Sequence, residues 1–221
     1  MFIVALLIGG MVLPLSAQQD IRQRQETEAT LAQVREALIG FAVINGRLPR
    51  PAASATDGSE RAADCATDDD CTGFIPWAAI GVQRTDAWDQ LLRYSVSPAF
   101  ANVATPITLA SIANRRVQTR DAAGVITFLA GNAACATVGA CIPAVVFSQG
   151  ARRWNLHDEA DTSKDGSTTN GDEDTNNSGT TTFISRIATD NTGLTGGEFD
   201  DLVTWVSGNI LISRMVSAGK L

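Results

Sequence analysis

The first 45 residues constrain this chain most, because they read as one helix with three zones of different character. From Phe2 to Leu15 the sequence FIVALLIGGMVLPL is apolar, and no charge appears before Asp20. Such a run seeks a membrane, yet it is shorter than the ~20 apolar residues an α-helix needs to cross the hydrocarbon layer. It also lacks the Lys or Arg that opens a secretory signal peptide. Between Asp20 and Ala42, opposite charges recur four residues apart (Asp20–Arg24, Arg22–Glu26, Arg24–Glu28), as on an exposed helical surface. Leu31, Val34, Leu38 and Phe41 then follow at spacings of three, four and three, a stripe that must dock on something. Residues 1–19 are thus expected to be part of a membrane anchor, 20–45 a stalk and docking helix, and 46–221 a globular head. Pro14 and the Gly9-Gly10 pair would weaken this helix in water, whereas a bundle or a membrane tolerates them. The competing reading is a signal peptide cut near Leu15-Ser16-Ala17, which would leave a secreted or periplasmic binding module.

Four cysteines, Cys65, Cys71, Cys135 and Cys141, form two C-x5-C pairs, a spacing that suits neither a zinc ribbon nor a redox C-x-x-C turn. An even count among polar loop residues fits disulfides in an oxidising compartment. Of the three possible connectivities, local pairing of 65 with 71 and 135 with 141 is expected.

A net charge of -7 argues against nucleic acid, since a phosphate-binding surface needs clustered Lys and Arg. The excess is local: His157 to Asp201 holds eleven acids and two bases.

In the head, short apolar runs bounded by turn residues read as antiparallel strands over Leu92–Val96, Ile107–Ile112, Gly124–Leu129, Ala144–Ser148, Thr181–Ile187 and Leu202–Val206. The second cysteine pair is expected to tighten a hairpin between the third and fourth of these. A closing helix is expected over Asn209–Ala218, capped by Asn209 and ended by Gly219. The fold class is α+β, a long helix packed on an antiparallel sheet, with Leu38, Phe41, Trp77, Trp88 and Trp205 buried together.

The order of parts resembles the type IV pilins and the pseudopilins of type II secretion: an apolar helix with internal Pro14, a charged stalk, an amphipathic end and a β-rich head. Ala37-Leu38-Ile39-Gly40-Phe41-Ala42 with Asn45-Gly46-Arg47-Leu48-Pro49 and Pro51 is similar to the helix exit of a subgroup of prepilin-like proteins. So are Gly73-Phe74-Ile75-Pro76-Trp77 through Asp86-Ala87-Trp88 to Arg93-Tyr94, and the closing Glu198-Phe199-Asp200-Asp201-Leu202-Val203-Thr204-Trp205. Major pseudopilins carry a D-x-W-G turn before a strand, and Asp89 stands here in place of that glycine. The basic leader, Gly-Phe cleavage site and early glutamate of family precursors are missing, so the resemblance implies a chain that starts inside its anchor. It further implies a pilin-like structural subunit, held in the bacterial inner membrane with its head in the periplasm. Its partners would be other pilin or pseudopilin subunits, met through the N-terminal helix.

Enzymatic chemistry is poorly provided for. His157 is the single histidine and sits in the acidic segment, expected as a loop over 157–182, without a nucleophile motif nearby. No G-x-S-x-G elbow, P-loop or G-x-G-x-x-G stretch occurs. The chain is therefore not expected to be an enzyme. One metal motif has content: Asp172, Asp174 and Asn176 alternate as oxygen ligands do in a calcium loop. Asn177 and Phe183 occupy the positions where an EF-hand needs Gly and Glu, so only an irregular calcium site or a solvated acidic loop remains. Some pseudopilins bind calcium.

Overall fold

A computed structural model of the chain describes residues 2–151, 169–177 and 181–221, with side chains described from Ala17 onward. The anchor side chains up to Ser16, His157 and most of the expected acidic loop lie outside these residues.

Helix α1 runs unbroken from Phe2 to Asn45. It ends at Gly46, whose φ of 74° is easy for glycine and whose N–H donates to the Ala42 carbonyl at 2.8 Å. The expected stripe is largely right: Leu31, Val34 and Leu38 are buried in the main core. Phe41 is not its last member. Ala42 takes that place, fully buried, while Phe41 is half-buried with its ring under the Arg47 guanidinium at 5.6 Å. Successive positions of a 3.6-residue helix lie about 100° apart, so a 3-4-3 count falls about 80° short of three full turns, where a 3-4-4 count comes back to the face.

The remaining elements are β1 (Thr72–Phe74), α2 (Trp77–Ile80), β2 (Arg93–Val96), α3 (Pro98–Ala101), β3 (Arg116–Arg120) and β4 (Ile126–Ala130). After them come β5 (Ala144–Ser148), α4 (Gly171–Asn177), β6 (Thr182–Ile184), β7 (Leu202–Val206) and α5 (Gly208–Ser217). One sheet has four antiparallel strands in the order β1-β2-β5-β7, and a second has three in the order β4-β3-β6. In the second sheet β3 pairs antiparallel with β4 but parallel with β6, so the head is not wholly antiparallel.

These parts stack in three layers. Helices α1 and α5 cover one face of the four-stranded sheet, where Leu38, Tyr94, Val146, Val206, Leu211 and Met215 share a core. The three-stranded sheet covers the opposite face, where Val117 and Phe183 meet Val145 and Phe147. The Phe147 and Phe183 ring centroids lie 5.6 Å apart. Strand β5 is consequently buried at every position, which explains its run of apolar residues without polar alternation. The tryptophans do not gather as expected. Trp77 and Trp88 pack on the helix side, whereas Trp205 faces the second sheet.

Other expectations fail for local reasons. Ile107–Ile112 is a turn, because Thr108 and Ser111 bond each other's backbone and side chains, and only Ile107 is buried. The Cys135–Cys141 bridge lies between β4 and β5, which belong to different sheets, so it tightens a crossover and not a hairpin. The closing helix starts after Ser207, not Asn209, although Gly219 at φ 69° does end it.

Candidate functional site

Where buried polar chemistry concentrates, three segments meet: α4, the glycine-containing loop from Gly196 to Asp201, and the end of β3. Glu173, Asp200 and Asp201 are buried, and each offers a carboxylate oxygen within 4.8 Å of the others. Gly196 and Gly197 let the loop approach this closely, since a Cβ at Gly197 would stand 1.3 Å from the Thr169 carbonyl oxygen.

The Glu173 and Asp201 carboxylates already accept hydrogen bonds. Glu173 Oε1 accepts the Asp200 backbone N–H at 2.6 Å, and its Oε2 accepts from Asn170 Nδ2 at 2.8 Å. Asp201 Oδ2 accepts from Asn176 Nδ2 at 2.7 Å. Burial, with the charge of Asp200 beside it, raises the Glu173 carboxyl from 4.5 to about 7. Near neutrality Glu173 can hold a proton, which lowers the repulsion among the three acids.

The residues expected to bind calcium sit on α4 and do not converge. Asp172 forms ion pairs with Arg120 at 2.7 Å and Arg186 at 2.7 Å, so its charge is met by two guanidinium groups. Asn176 turns instead toward the outer edge of β6, where its Oδ1 accepts the Ile184 N–H at 2.6 Å and its Nδ2 donates to the Ile184 carbonyl at 2.9 Å. Its amide thus occupies the place of a neighbouring strand. Asp174 is half-exposed and takes part in neither arrangement. Positions two apart on a helix point about 200° apart, so an alternating pattern suited to a loop is scattered by α4. If a hard cation binds among the described residues, Glu173, Asp200 and Asp201 supply its oxygens, and it must compete with the bonds already made.

A second polar centre anchors the helix. In the turn at Asp86, the Oδ1 atom accepts the backbone N–H groups of Trp88 at 2.8 Å and Gln90 at 2.9 Å, and Oδ2 accepts the Ser148 hydroxyl at 2.5 Å. Burial pushes the Asp86 carboxyl up despite these bonds. Asp89 adopts φ 60°, the left-handed conformation glycine would supply, so the turn keeps its course with an aspartate. The Ala87 N–H then donates to Thr27 Oγ1 at 3.2 Å and the Ala87 carbonyl accepts from Gln23 Nε2 at 3.3 Å, fixing the turn to α1.

The four cysteines pair locally as expected, with Cα–Cα distances of 5.2 Å in both bridges. Sequence reasoning missed Arg115, the largest fully buried side chain, which donates to Ser95 Oγ, the Val96 carbonyl and Asp68. No local pattern marks it, because its partners come from two distant segments. Among the described residues no helix is long and apolar enough to cross a membrane. No protein-family model matches the chain, and neither a curated protein nor a solved structure is similar to it at a significant level.

Proposed function

We propose that this chain is a structural subunit of a filament of the type IV pilin or pseudopilin class, held in the inner membrane before assembly, with its head outside the cytoplasm. Its work is assembly, not catalysis. The observation that carries the reading is the single helix Phe2–Asn45, whose later turns are buried in the head while Gln18 to Arg22 stand exposed beyond it. An unbroken helix across Leu15-Ser16-Ala17 also disfavours a signal-peptide cut there, since the cut needs an extended backbone. Two disulfides in a small head suit an oxidising compartment.

Expression of the protein from its native gene tests this reading. The chain should sediment with inner membranes, resist carbonate extraction, yield to detergent and be digested by protease added to the periplasm. A mature N-terminus beginning near Gln18 would favour a secreted binding module, and a cytoplasmic chain with reduced cysteines would sink both readings.

A further inference from the structure

We infer that the free edge of β4 pairs with the same strand of a second copy, joining two three-stranded sheets into one of six. This contact is separate from any assembly through α1 and would stand or fall independently of the filament reading.

Among the described residues, β4 is the outer strand most open to solvent. The edge of β6 is closed by the Asn176 amide and β1 receives the Ala52 N–H at the Phe74 carbonyl at 2.9 Å, while β7, one face of which is covered by α1, has no fully exposed position. Strand β4 is exposed at every position but its last. Val125, Ile126, Phe128 and Leu129 are 57%, 43%, 42% and 49% exposed, so apolar side chains project from both faces of the strand. Proteins ordinarily guard such edges with Lys, Pro or inward charges. Here no charged residue or proline interrupts 122–130.

The same observations identify the occupant. Apolar groups on both faces call for a strand that is apolar on both faces, and β4 is itself such a strand. Residues 122–151 contain no Asp, Glu, Lys, Arg or His, in a chain of net charge -7. Two copies repel each other generally, and a neutral edge is where they can approach at least cost. A basic partner would be drawn elsewhere, to the acids.

The register follows from the β3–β4 hairpin. Thr119 pairs with Thr127, and the Asp121 N–H donates to the Val125 carbonyl at 3.0 Å. Antiparallel bonding alternates along a strand, so the backbone groups of Ile126 and Phe128 point away from β3. A two-fold axis at Thr127 sets Ile126 of each copy opposite Phe128 of the other, and each such pair exchanges two hydrogen bonds. The two Thr127 residues then face each other as a non-hydrogen-bonded pair, with Cα atoms about 4.5 Å apart. An isologous contact of this kind closes at two copies. The seam is smaller than the ~800 Å² per partner of a stable complex, so the pair forms reversibly and is best trapped covalently.

The test uses the oxidised full chain in detergent, carrying Thr127→Cys. Oxidation should give a disulfide-linked dimer at least tenfold faster than Val103→Cys, an exposed control site. Adding Phe128→Pro should remove that advantage, because it deletes an outward N–H without breaking a bond to β3. A circular dichroism melt that matches the parent confirms that the double variant is folded. Equal rates at 127 and 103, or a rate at 127 insensitive to Phe128→Pro, would overturn the inference. So would a Thr127→Cys variant that stays monomeric when pure and cross-links in cells only to another protein, which would make that protein's strand the occupant.

Discussion

The Arg115 guanidinium, fully buried, meets Asp68 Oδ1 at 2.6 Å inside the short ring closed by Cys65 and Cys71. Burial works against the Asp68 charge, but hydrogen bonds from Arg115 and Asn114 outweigh it and hold the carboxyl below its ordinary range. Removing Asp68 takes away the carboxylate that pairs with this buried cation. Asp68→Ala should cost about 2 kcal/mol in urea unfolding, below the usual figure for a buried pair because Asp68 is partly exposed. Opening the bridge with Cys65→Ser and Cys71→Ser should cost roughly 2 kcal/mol on its own. If the ring positions Asp68, the two losses combine to less than their sum in a double-mutant cycle, whereas simple additivity would show that it does not.

Stability should fall as pH rises from about 5 to 8. Glu173 holds its proton more tightly folded, at about 7, than unfolded, at 4.5. Its contribution is therefore full below the unfolded value and is lost as pH climbs through the folded one, by roughly 3 kcal/mol at most. Asp86, also raised by burial, acts in the same direction. Glu60 and Asp68, held below their ordinary range, gain or lose stability only at lower pH. Chemical denaturation of Glu173→Gln across this range should show a flatter slope, and an unchanged slope would reject the assignment.

On α1, Leu38→Ala should destabilise by about 3 kcal/mol and Phe41→Ala by less than about 1 kcal/mol, since only the first opens a cavity in the core. Comparable losses would return Phe41 to the docking stripe.

At the turn, Asp89→Gly should be neutral or stabilise by about 0.5 kcal/mol, because glycine adopts φ 60° without strain, while Asp89→Val should cost roughly 1–2 kcal/mol. Thermal melts of the two variants suffice, and the reverse ranking would contradict the conformation.

Millimolar calcium should leave the melting temperature unchanged, because Asp172 is paired with arginines and Asn176 with Ile184. A rise abolished by Asp174→Asn would restore the alternating motif as a site. One abolished by Asp201→Asn alone would place the ion in the buried cluster.

What could be read from the sequence was whatever a short range of residues decides. Ala144–Ser148 and Leu202–Val206 announced themselves because strands buried on one or both faces must be apolar, and Leu31, Val34 and Leu38 because a docked helix must be periodic. Strand β3 was hidden. Its Arg116 and Arg120 look like surface residues, and their partners, the Ala133 carbonyl and Asp172, are distant in sequence. The buried acids were hidden for the same reason: Glu173 lies far along the chain from Asp200, and no local pattern says that Gly196 and Gly197 will bring them together. Asp172 and Asn176 carry a legible pattern, but it is the spacing of a loop, and α4 aims them apart.

The docked part of α1 has a mechanical consequence. Buried positions run from Thr27 to Ala42, about 24 Å of helix, pressed on β5, β7 and α5. Tension applied to the exposed N-terminal end would load these contacts together in shear, and the Ala87 turn with them. A head held this way resists traction far better than one fastened at a single hinge, and it would yield by coming apart at once, not by unzipping.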